Sequence, residues 1–143
     1  MSFAVVLDAA AFDILDSQQA TGLRALLRRA IDDGGEVRCA AVTLAEVCRG
    51  VARTRHVEAA IARRRGGQRI RVMPTDERFA KLVGAILHDT ASGSERIADA
   101  HVVAACTTVD AAIVVTADPN DIAALATAVP GTRIVIRDPR TPL

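Results

Sequence analysis

The sequence predicts an α/β protein built on a parallel β-sheet of about five strands. Short apolar runs without polar alternation, such as FAVVL at 3–7 and AAIVVTAD at 111–118, are typical of strands that are buried on both faces. Segments with the apolar spacing of helices separate these runs along the chain. Because strands and helices alternate in this way, we expect a parallel sheet with right-handed crossover connections.

Each predicted element begins and ends at residues with a known local preference. The strands are expected at 3–7, 36–42, 69–74, 111–118 and 132–136, and the helices at 21–33, 43–53, 56–65, 75–89, 95–105 and 119–129. Glycine pairs stop the first and third helices, and Pro74 ends the third strand. Thr75 or Asp76 opens the fourth helix, and Pro119 takes the first position of the last one.

One domain spanning residues 1–143 is expected, since this length suffices for one hydrophobic core. Half of the residues are hydrophobic, and neither Trp nor Tyr occurs, which argues against a protein that stacks nucleic-acid bases on aromatic rings. The three cysteines are far apart and lack metal-finger spacing, so we expect them to be reduced and buried. We recognise no signal peptide and no membrane span, and we therefore expect a cytoplasmic protein without membrane contact.

Arginine carries almost all of the positive charge, because Lys81 is the only lysine among the 18 basic residues. Eight of the arginines lie between Arg49 and Arg71. The guanidinium group is a planar fork that fits phosphate oxygens. This cluster is consistent with contact to a polyanion, and the alternatives are a solvated face and arginine-rich codon usage.

Four acidic residues stand where ligands gather in parallel sheets. Asp8 follows the first predicted strand and Asp118 ends the fourth, one residue after its run IVVT, while Glu46 and Asp99 lie on predicted helices. In open parallel sheets, ligands bind at the carboxyl ends of the strands, near the point where the strand order reverses. The four acids are therefore expected to converge in one cleft.

Each acid also has a structural explanation. Asp8 and Asp118 can cap the helices that follow them. Glu46, expected in the first turn of its helix, stands three residues after Thr43, which is the spacing of a capping box. Asp99 is expected past the first turn of an apolar helix, where capping does not explain it, and an exposed position is its alternative.

Together the four acids predict a site for a hard divalent cation. Carboxylate oxygens are the preferred ligands of Mg²⁺ and Mn²⁺, and the negative charge of such a cluster needs a cation. Metals held in this way bind a phosphodiester, activate water and stabilise the leaving oxygen. The sequence contains no phosphate-binding glycine loop. His101 lies two residues from Asp99, on the opposite side of the helix, and is expected to be structural.

Four segments resemble the PIN-domain ribonucleases, specifically the VapC-type toxins of type II toxin–antitoxin systems. The segments are VVLDAAAF, VTLAEVCRG, ADAHVVAA and IVVTADPNDIAAL. They follow the family's order across essentially the whole chain. The resemblance implies a three-layer α/β/α fold and Mg²⁺- or Mn²⁺-dependent cleavage of RNA. It also implies a homodimer and a small VapB-like antitoxin whose C-terminal segment fills the active-site groove.

The resemblance further implies a role for individual residues. The catalytic, metal-binding acids would be Asp8, Glu46, Asp99 and Asp118. Thr116 would be the hydroxyl that orients the site, and Asp121 would be an auxiliary ligand of metal or water, or a capping residue. The arginines that would contact RNA phosphates, unless an acidic antitoxin covers them, are Arg49, Arg53, Arg64 and Arg65.

The first motif departs from the family pattern at one point. Many members carry Ser or Thr one or two residues after the first Asp, whereas Ala9 and Ala10 stand there in this chain. Either this hydroxyl is missing or it is supplied elsewhere in the chain, and Asp13 and Thr43 are the candidates to compensate for it. Two other functions stay open from the sequence: a catalytically silent PIN-like module that binds RNA or protein, and an α/β domain in which Asp8 accepts a phosphoryl group.

Overall fold

The computed structural model describes residues 2–15 and 17–140, without the side chain of Gln19. Five strands form one sheet in the order β3-β2-β1-β4-β5, and every neighbouring pair is parallel. The α/β class and the parallel five-stranded sheet predicted from the sequence are thus confirmed. The strands are β1 (Phe3–Leu7), β2 (Glu36–Ala40), β3 (Arg71–Met73), β4 (Ala111–Val115) and β5 (Arg133–Arg137).

Helices connect the strands and cover the sheet. Two short 3₁₀ turns, Gln18–Ala20 and Ser94–Arg96, precede the second and the sixth α-helix. None of the helices in the described ranges combines the length and the hydropathy that a bilayer crossing requires. The α-helices are α1 (Ala9–Ile14), α2 (Thr21–Asp32), α3 (Ala41–Val47), α4 (Val51–Ala62), α5 (Glu77–Asp89), α6 (Ile97–Ala104) and α7 (Pro119–Ala126).

Two hydrophobic cores lie on the two faces of the sheet. Val5 and Leu7 of β1 pack into a core with α1, α2, α3 and α4, whereas Val6 packs into a second core with α5, α6 and α7. Successive side chains of a strand point to opposite faces, so β1 contributes to both cores and its uninterrupted apolar run is explained. The result is the expected three-layer α/β/α arrangement.

The strand order reverses beside β1. The chain adds β2 and β3 on one side of β1 and then β4 and β5 on the other side. β1 and β4 pair along their whole length, with Leu7 opposite Val115, and the Asp8 N–H donates to the Val115 carbonyl at 3.0 Å. The carboxyl ends of both strands therefore meet at the switch point, which is where this class of fold binds ligands.

Several predicted boundaries are wrong around the second strand. β2 ends at Ala40, and the predicted helix 43–53 is in fact two helices, since α3 ends at Val47 and α4 begins at Val51. Gly50 separates them with a φ of 88°, a conformation that side chains other than glycine rarely adopt. α4 also ends at Ala62, so the arginines that follow it are not helical.

Candidate metal centre

Three of the four candidate acids come together at the carboxyl edge of the sheet. Asp8, Asp99 and Asp118 each offer a carboxylate oxygen, and these three oxygens lie within 4.8 Å of one another. Asp8 is buried, Asp99 is half-buried and Asp118 is exposed. We call these three residues the acid centre. It runs from the interior to the surface, so a ligand can reach it from solvent.

Asp8 is the buried member of the acid centre. It takes the N-cap position of α1, and its Oδ1 accepts a hydrogen bond from the Ala9 N–H at 2.8 Å. Its Oδ2 accepts a hydrogen bond from the Thr116 hydroxyl at 2.8 Å. The capping explanation for Asp8 is therefore correct, but it uses only one of the two oxygens. Both donors are uncharged, so the Asp8 carboxylate is hydrogen-bonded but its negative charge has no counter-ion among them.

Thr116 joins two members of the acid centre. Its fully buried hydroxyl donates to Asp8 and accepts a hydrogen bond from the Asp118 N–H at 3.0 Å. The expected substitutes for the missing hydroxyl after Asp8 do not act in this way. Asp13 pairs with Arg53, and the buried Thr43 hydroxyl has no hydrogen-bond partner among the described residues. Thr116 is thus the hydroxyl that fixes the geometry of this edge.

The acids near the start of α7 do not cap it. Asp118 takes the N-cap position, but its side chain makes no capping hydrogen bond. Asp121 lies in the first turn of α7 and accepts a hydrogen bond from Arg96 Nη1 at 2.8 Å. The structure therefore gives Asp118 no capping role in the described chain, and it ties Asp121 to the segment that leads into α6.

Asp99 lies in the first turn of α6, so the prediction that it lies further along the helix is wrong. α6 begins only at Ile97, because the preceding residues form a 3₁₀ turn. Even so, the Asp99 carboxylate accepts no hydrogen bond from the described residues. Burial and then the negative charges of Asp8, Asp118 and Asp121 raise its pKa to about 6, against the opposing charge of Arg96.

Glu46 lies at the rim of the acid centre rather than inside it. It falls in the second turn of α3, whose N-cap is Ala40, so Thr43 does not form the expected capping box. Glu46 is exposed and does not belong to the group of mutually close oxygens. Partial burial, followed by the charges of the three acids, nevertheless raises the pKa of its carboxyl, while Arg49 lowers it. The electrostatic field of the acid centre therefore reaches Glu46.

His101 points away from this chemistry. The residue is only 7% exposed, and its Nδ1–H donates to the Ile97 carbonyl at 2.7 Å. Its ring centroid lies 5.7 Å from that of Phe79 on α5. These contacts bury the ring between α5 and α6, in agreement with the expected structural role.

The candidate RNA-binding arginines do not share one environment. Arg49 and Arg64 are exposed, and each donates a hydrogen bond to a nearby carbonyl of its own segment. Arg53 donates to the Val47 carbonyl and pairs with Asp13. Arg65 is only 9% exposed and donates to the Ala60 carbonyl at 3.1 Å. The structure therefore does not support Arg65 as a surface contact for RNA.

The acid centre suits a hard divalent cation. Its ligands are all carboxylate oxygens, and none of the three acids forms an ion pair within the described ranges. Oxygens that share one Mg²⁺ at about 2.1 Å lie up to about 4 Å apart, so small side-chain rotations suffice to bring these oxygens onto one ion. The pKa of Asp99 is raised first by burial and then by the charges of these acidic neighbours, which a bound cation would neutralise.

Comparisons with known proteins agree with this arrangement. The family model of the PIN domain matches residues 5–127, which include all four candidate acids. The fold is similar to that of VapBC2 from Rickettsia felis bound to a DNA fragment from its promoter (TM-score 0.63, 12% identity, covering 94% of this chain and 99% of the other). It is also similar to FitAB bound to the IR36 DNA fragment (TM-score 0.59, 21% identity, covering 96% of each chain). A search of curated proteins gave no match. Since the family match spans most of the chain and its whole acid centre, the protein belongs to the PIN domain family.

Proposed function

We propose that this protein is a metal-dependent endoribonuclease, acting as the VapC-type toxin of a toxin–antitoxin pair. The observation that carries the proposal is the acid centre, in which three carboxylates converge without a paired cation at the switch point of the sheet. Membership of the PIN domain family supports nuclease chemistry there.

The acid centre would hold Mg²⁺ or Mn²⁺ through Asp8, Asp99 and Asp118. When bound, such a cation neutralises the carboxylates, binds a phosphodiester oxygen and lowers the pKa of the attacking water. Thr116 keeps Asp8 and the backbone of Asp118 in a fixed relation through its two hydrogen bonds. Asp121, held by Arg96, would serve as an auxiliary acid at the edge of the site.

Glu46 would act as the proton acceptor at the rim. Its side chain is exposed at the edge of the acid centre and its carboxylate accepts no hydrogen bond from the described residues, so it is available to accept a proton. A carboxylate at the rim can take a proton from the attacking water and pass it to solvent. The electrostatic interaction of Glu46 with Asp8, Asp99 and Asp118 supports this role.

RNA is proposed as the substrate because of the resemblance to VapC-type ribonucleases. With no Trp or Tyr in the chain, we expect RNA to be held through its backbone rather than by stacking. Arg49, Arg53 and Arg64 remain the candidate contacts from the arginine cluster, since all three lie outside the hydrophobic cores.

The proposal includes the partners that the VapC-type resemblance implies. These are a small VapB-like antitoxin that fills the active-site groove and a second copy of the chain in a homodimer, both in the cytoplasm. The similarity in fold to VapBC2 and FitAB supports the antitoxin partner, whereas the homodimer and the cytoplasmic location rest on the resemblance alone.

The test is cleavage of total RNA by the full chain, with Mn²⁺ and with excess EDTA. We expect cleavage only with the metal, and Asp99→Asn should lower the rate by at least about 100-fold, since a lost ligand costs more than a lost outer contact. Asp33→Asn is the matched control, because Asp33 is exposed and lies between α2 and β2, at the opposite edge of the sheet. Full activity in EDTA or in Asp99→Asn would contradict the proposal, and metal binding without cleavage would favour a silent PIN-like module.

A further inference from the structure

The segment Asp138–Arg140 lies at the same edge of the sheet as the acid centre. It directly follows β5, which pairs with β4 up to Val115 opposite Arg137. The Thr116 N–H donates to the Arg137 carbonyl at 2.9 Å, which fixes the end of β5 beside the loop that carries Asp118. Residues after Arg137 therefore continue outward next to the acid centre.

Asp138 holds the side chain of Arg140 in one orientation. Its Oδ1 accepts hydrogen bonds from the Arg140 N–H at 2.9 Å and from Nε at 3.0 Å, and its Oδ2 accepts one from Nη2 at 2.8 Å. The Arg140 side chain is nevertheless 64% exposed. A guanidinium group has five N–H donors, and Asp138 occupies only the Nε side. Nη1 and the second N–H of Nη2 have no partner within the described chain, and together they form the fork edge that binds phosphate.

Arg49 provides a positive charge on the other flank of the acid centre. Its Nε donates to the Ala45 carbonyl at 3.0 Å, and its charge lowers the pKa of Glu46. On the β5 side, the charge of Asp118 acts on Arg140 and contributes to its raised pKa, after the larger effect of Asp138. Both guanidinium groups therefore interact electrostatically with the site, one through Glu46 and one through Asp118.

The sheet order sets where the segments that carry these groups leave the sheet. Glu46 and Arg49 come after β2, Asp8 after β1, Asp118 after β4 and Arg140 after β5, and the strands lie side by side in that order. Neighbouring strands are about 4.8 Å apart, so β2 and β5 are separated by about 14 Å. This distance suits a short stretch of one nucleic-acid strand.

We propose that Arg49 and Arg140 bind backbone phosphates on opposite sides of the scissile phosphate, so that a single nucleic-acid strand crosses the carboxyl edge from the β2 flank to the β5 flank. The inference rests on the proposed function for the position of the scissile phosphate at the acid centre. It adds Arg140 as a binding residue outside the arginine cluster and Asp138 as the residue that positions it.

The first test is binding of a fluorescein-labelled, mixed-sequence RNA of 12 nucleotides by the full chain in Mg²⁺ across a salt series. All variants carry Asp99→Asn so that the probe stays intact. Arg49→Ala and Arg140→Ala should each weaken binding about three- to tenfold and lower the slope of log K against log salt by about 0.7, the value for one phosphate contact on a single strand. Arg28→Ala is the matched control, because Arg28 is a 68% exposed arginine on α2. A slope for Arg140→Ala equal to that of Arg28→Ala would overturn the proposal.

A second variant separates positioning from bulk charge. Asp138→Asn removes a negative charge, so a role of Arg140 through net charge alone predicts tighter RNA binding. Positioning by Asp138 predicts weaker RNA binding, by about two- to fivefold. The reason is that the Arg140 guanidinium is no longer held, so that its side-chain entropy must be lost on binding. Tighter binding by Asp138→Asn would overturn the positioning role.

The third test uses an RNA that the wild-type chain cleaves, with single phosphates replaced by uncharged methylphosphonates on either side of the cut. In Arg140→Ala, KM should no longer respond to a methylphosphonate on one side of the cut but should still respond on the other side. In Arg49→Ala, the two sides should be exchanged. Sensitivity that is unchanged in both variants would contradict the strand path. If the wild-type chain cuts no RNA, the proposed function fails, and the binding experiment still decides the role of the two arginines.

Discussion

Two buried charged side chains, one on β2 and one directly after the neighbouring β1, differ in whether they have a counter-ion. Arg38 on β2 is 3% exposed, and it pairs with Glu36 and donates to the Ala105 carbonyl at 2.9 Å and to the Thr108 hydroxyl at 2.6 Å. Asp8 after β1 is 6% exposed and has uncharged donors only, with two further acids beside it.

The difference separates a structural charge from a functional one. Both Nη groups of Arg38 have partners and only its Nε lacks one among the described residues, so Arg38 contributes to the fold, and removing one partner of such a buried pair is costly. Like charges gathered without a counter-ion destabilise the fold unless a ligand neutralises them, and such clusters are typical of functional sites. We therefore expect substitutions at Arg38 to affect stability, and substitutions in the acid centre to affect activity.

Removal of the Arg38 side chain should give the largest loss of stability. Arg38→Met leaves the Ala105 carbonyl and the Thr108 hydroxyl without their partner and leaves Glu36 with only the exposed Arg71, and we expect the free energy of unfolding to fall by about 2–3 kcal/mol. Urea unfolding measures this change. Arg71→Met is the control, because the 60% exposed Arg71 pairs with the same Glu36 and should cost less than about 0.5 kcal/mol. Equal losses in the two variants would show that burial does not decide the effect.

Removal of the Thr116 hydroxyl should affect both stability and activity. Thr116→Val leaves a carboxylate oxygen of Asp8 and the Asp118 N–H without a buried partner, which should cost about 1–2 kcal/mol and lower RNA cleavage about tenfold. Thr116→Ser should recover most of both. Thr43→Val is the matched control, since the equally buried Thr43 hydroxyl has no hydrogen-bond partner in the described chain and its loss should be neutral or stabilising. A similar activity loss in Thr43→Val would contradict the role given to Thr116.

The pH dependence of the metal-free protein should show a smaller effect. The pKa of Asp99 is raised from 3.8 to about 6 in the folded state, so folded molecules bind more protons than unfolded ones between these values. The free energy of unfolding should therefore decrease as the pH rises from about 4 to about 6. Because Asp99 is partly exposed, we expect a loss of about 1 kcal/mol, or about 3 °C in Tm.

Asp99→Asn should remove most of this pH dependence, leaving the smaller contribution of Glu46, and it should raise the Tm of the metal-free protein at pH 7 although it lowers activity. Thermal unfolding in EDTA at several pH values measures the change, and Asp33→Asn should follow the wild-type curve. If the free energy of unfolding instead rises between pH 4 and pH 6, in wild type and equally in Asp99→Asn, then groups other than Asp99 dominate the pH dependence and the prediction is wrong.

The sequence predicted the features that depend on strand ends. Asp8 and Asp118 were identified because each follows an uninterrupted apolar run, and parallel pairing of β1 and β4 then brings them to one edge. The same rule applied to β5 points to Asp138, which was not among the predicted site residues. Arg140 lacked any signal of its own, because its position depends on the three hydrogen bonds that it donates to the Asp138 carboxylate.

Features that depend on local backbone geometry were not predictable from apolar spacing. The break between α3 and α4 rests on the positive φ of one residue, Gly50, inside a pattern that continues on both sides. The burial of Arg65 was equally hidden, since three consecutive arginines look alike in sequence and only the end of α4 at Ala62 turns one of them inward.

Binding of Mn²⁺ to the full chain, followed by thermal unfolding at pH 7.5, tests the central claim that the acid centre is a cation site. At about 100 times the dissociation constant, binding to the folded state adds about 2.7 kcal/mol, so we expect the Tm to rise by several degrees. The rise should be lost in Asp118→Asn, retained in Asp33→Asn, and much smaller at pH 5, where protonation of Asp99 competes with the metal. An unchanged Tm in wild type, or an equal rise in Asp118→Asn, would contradict the claim.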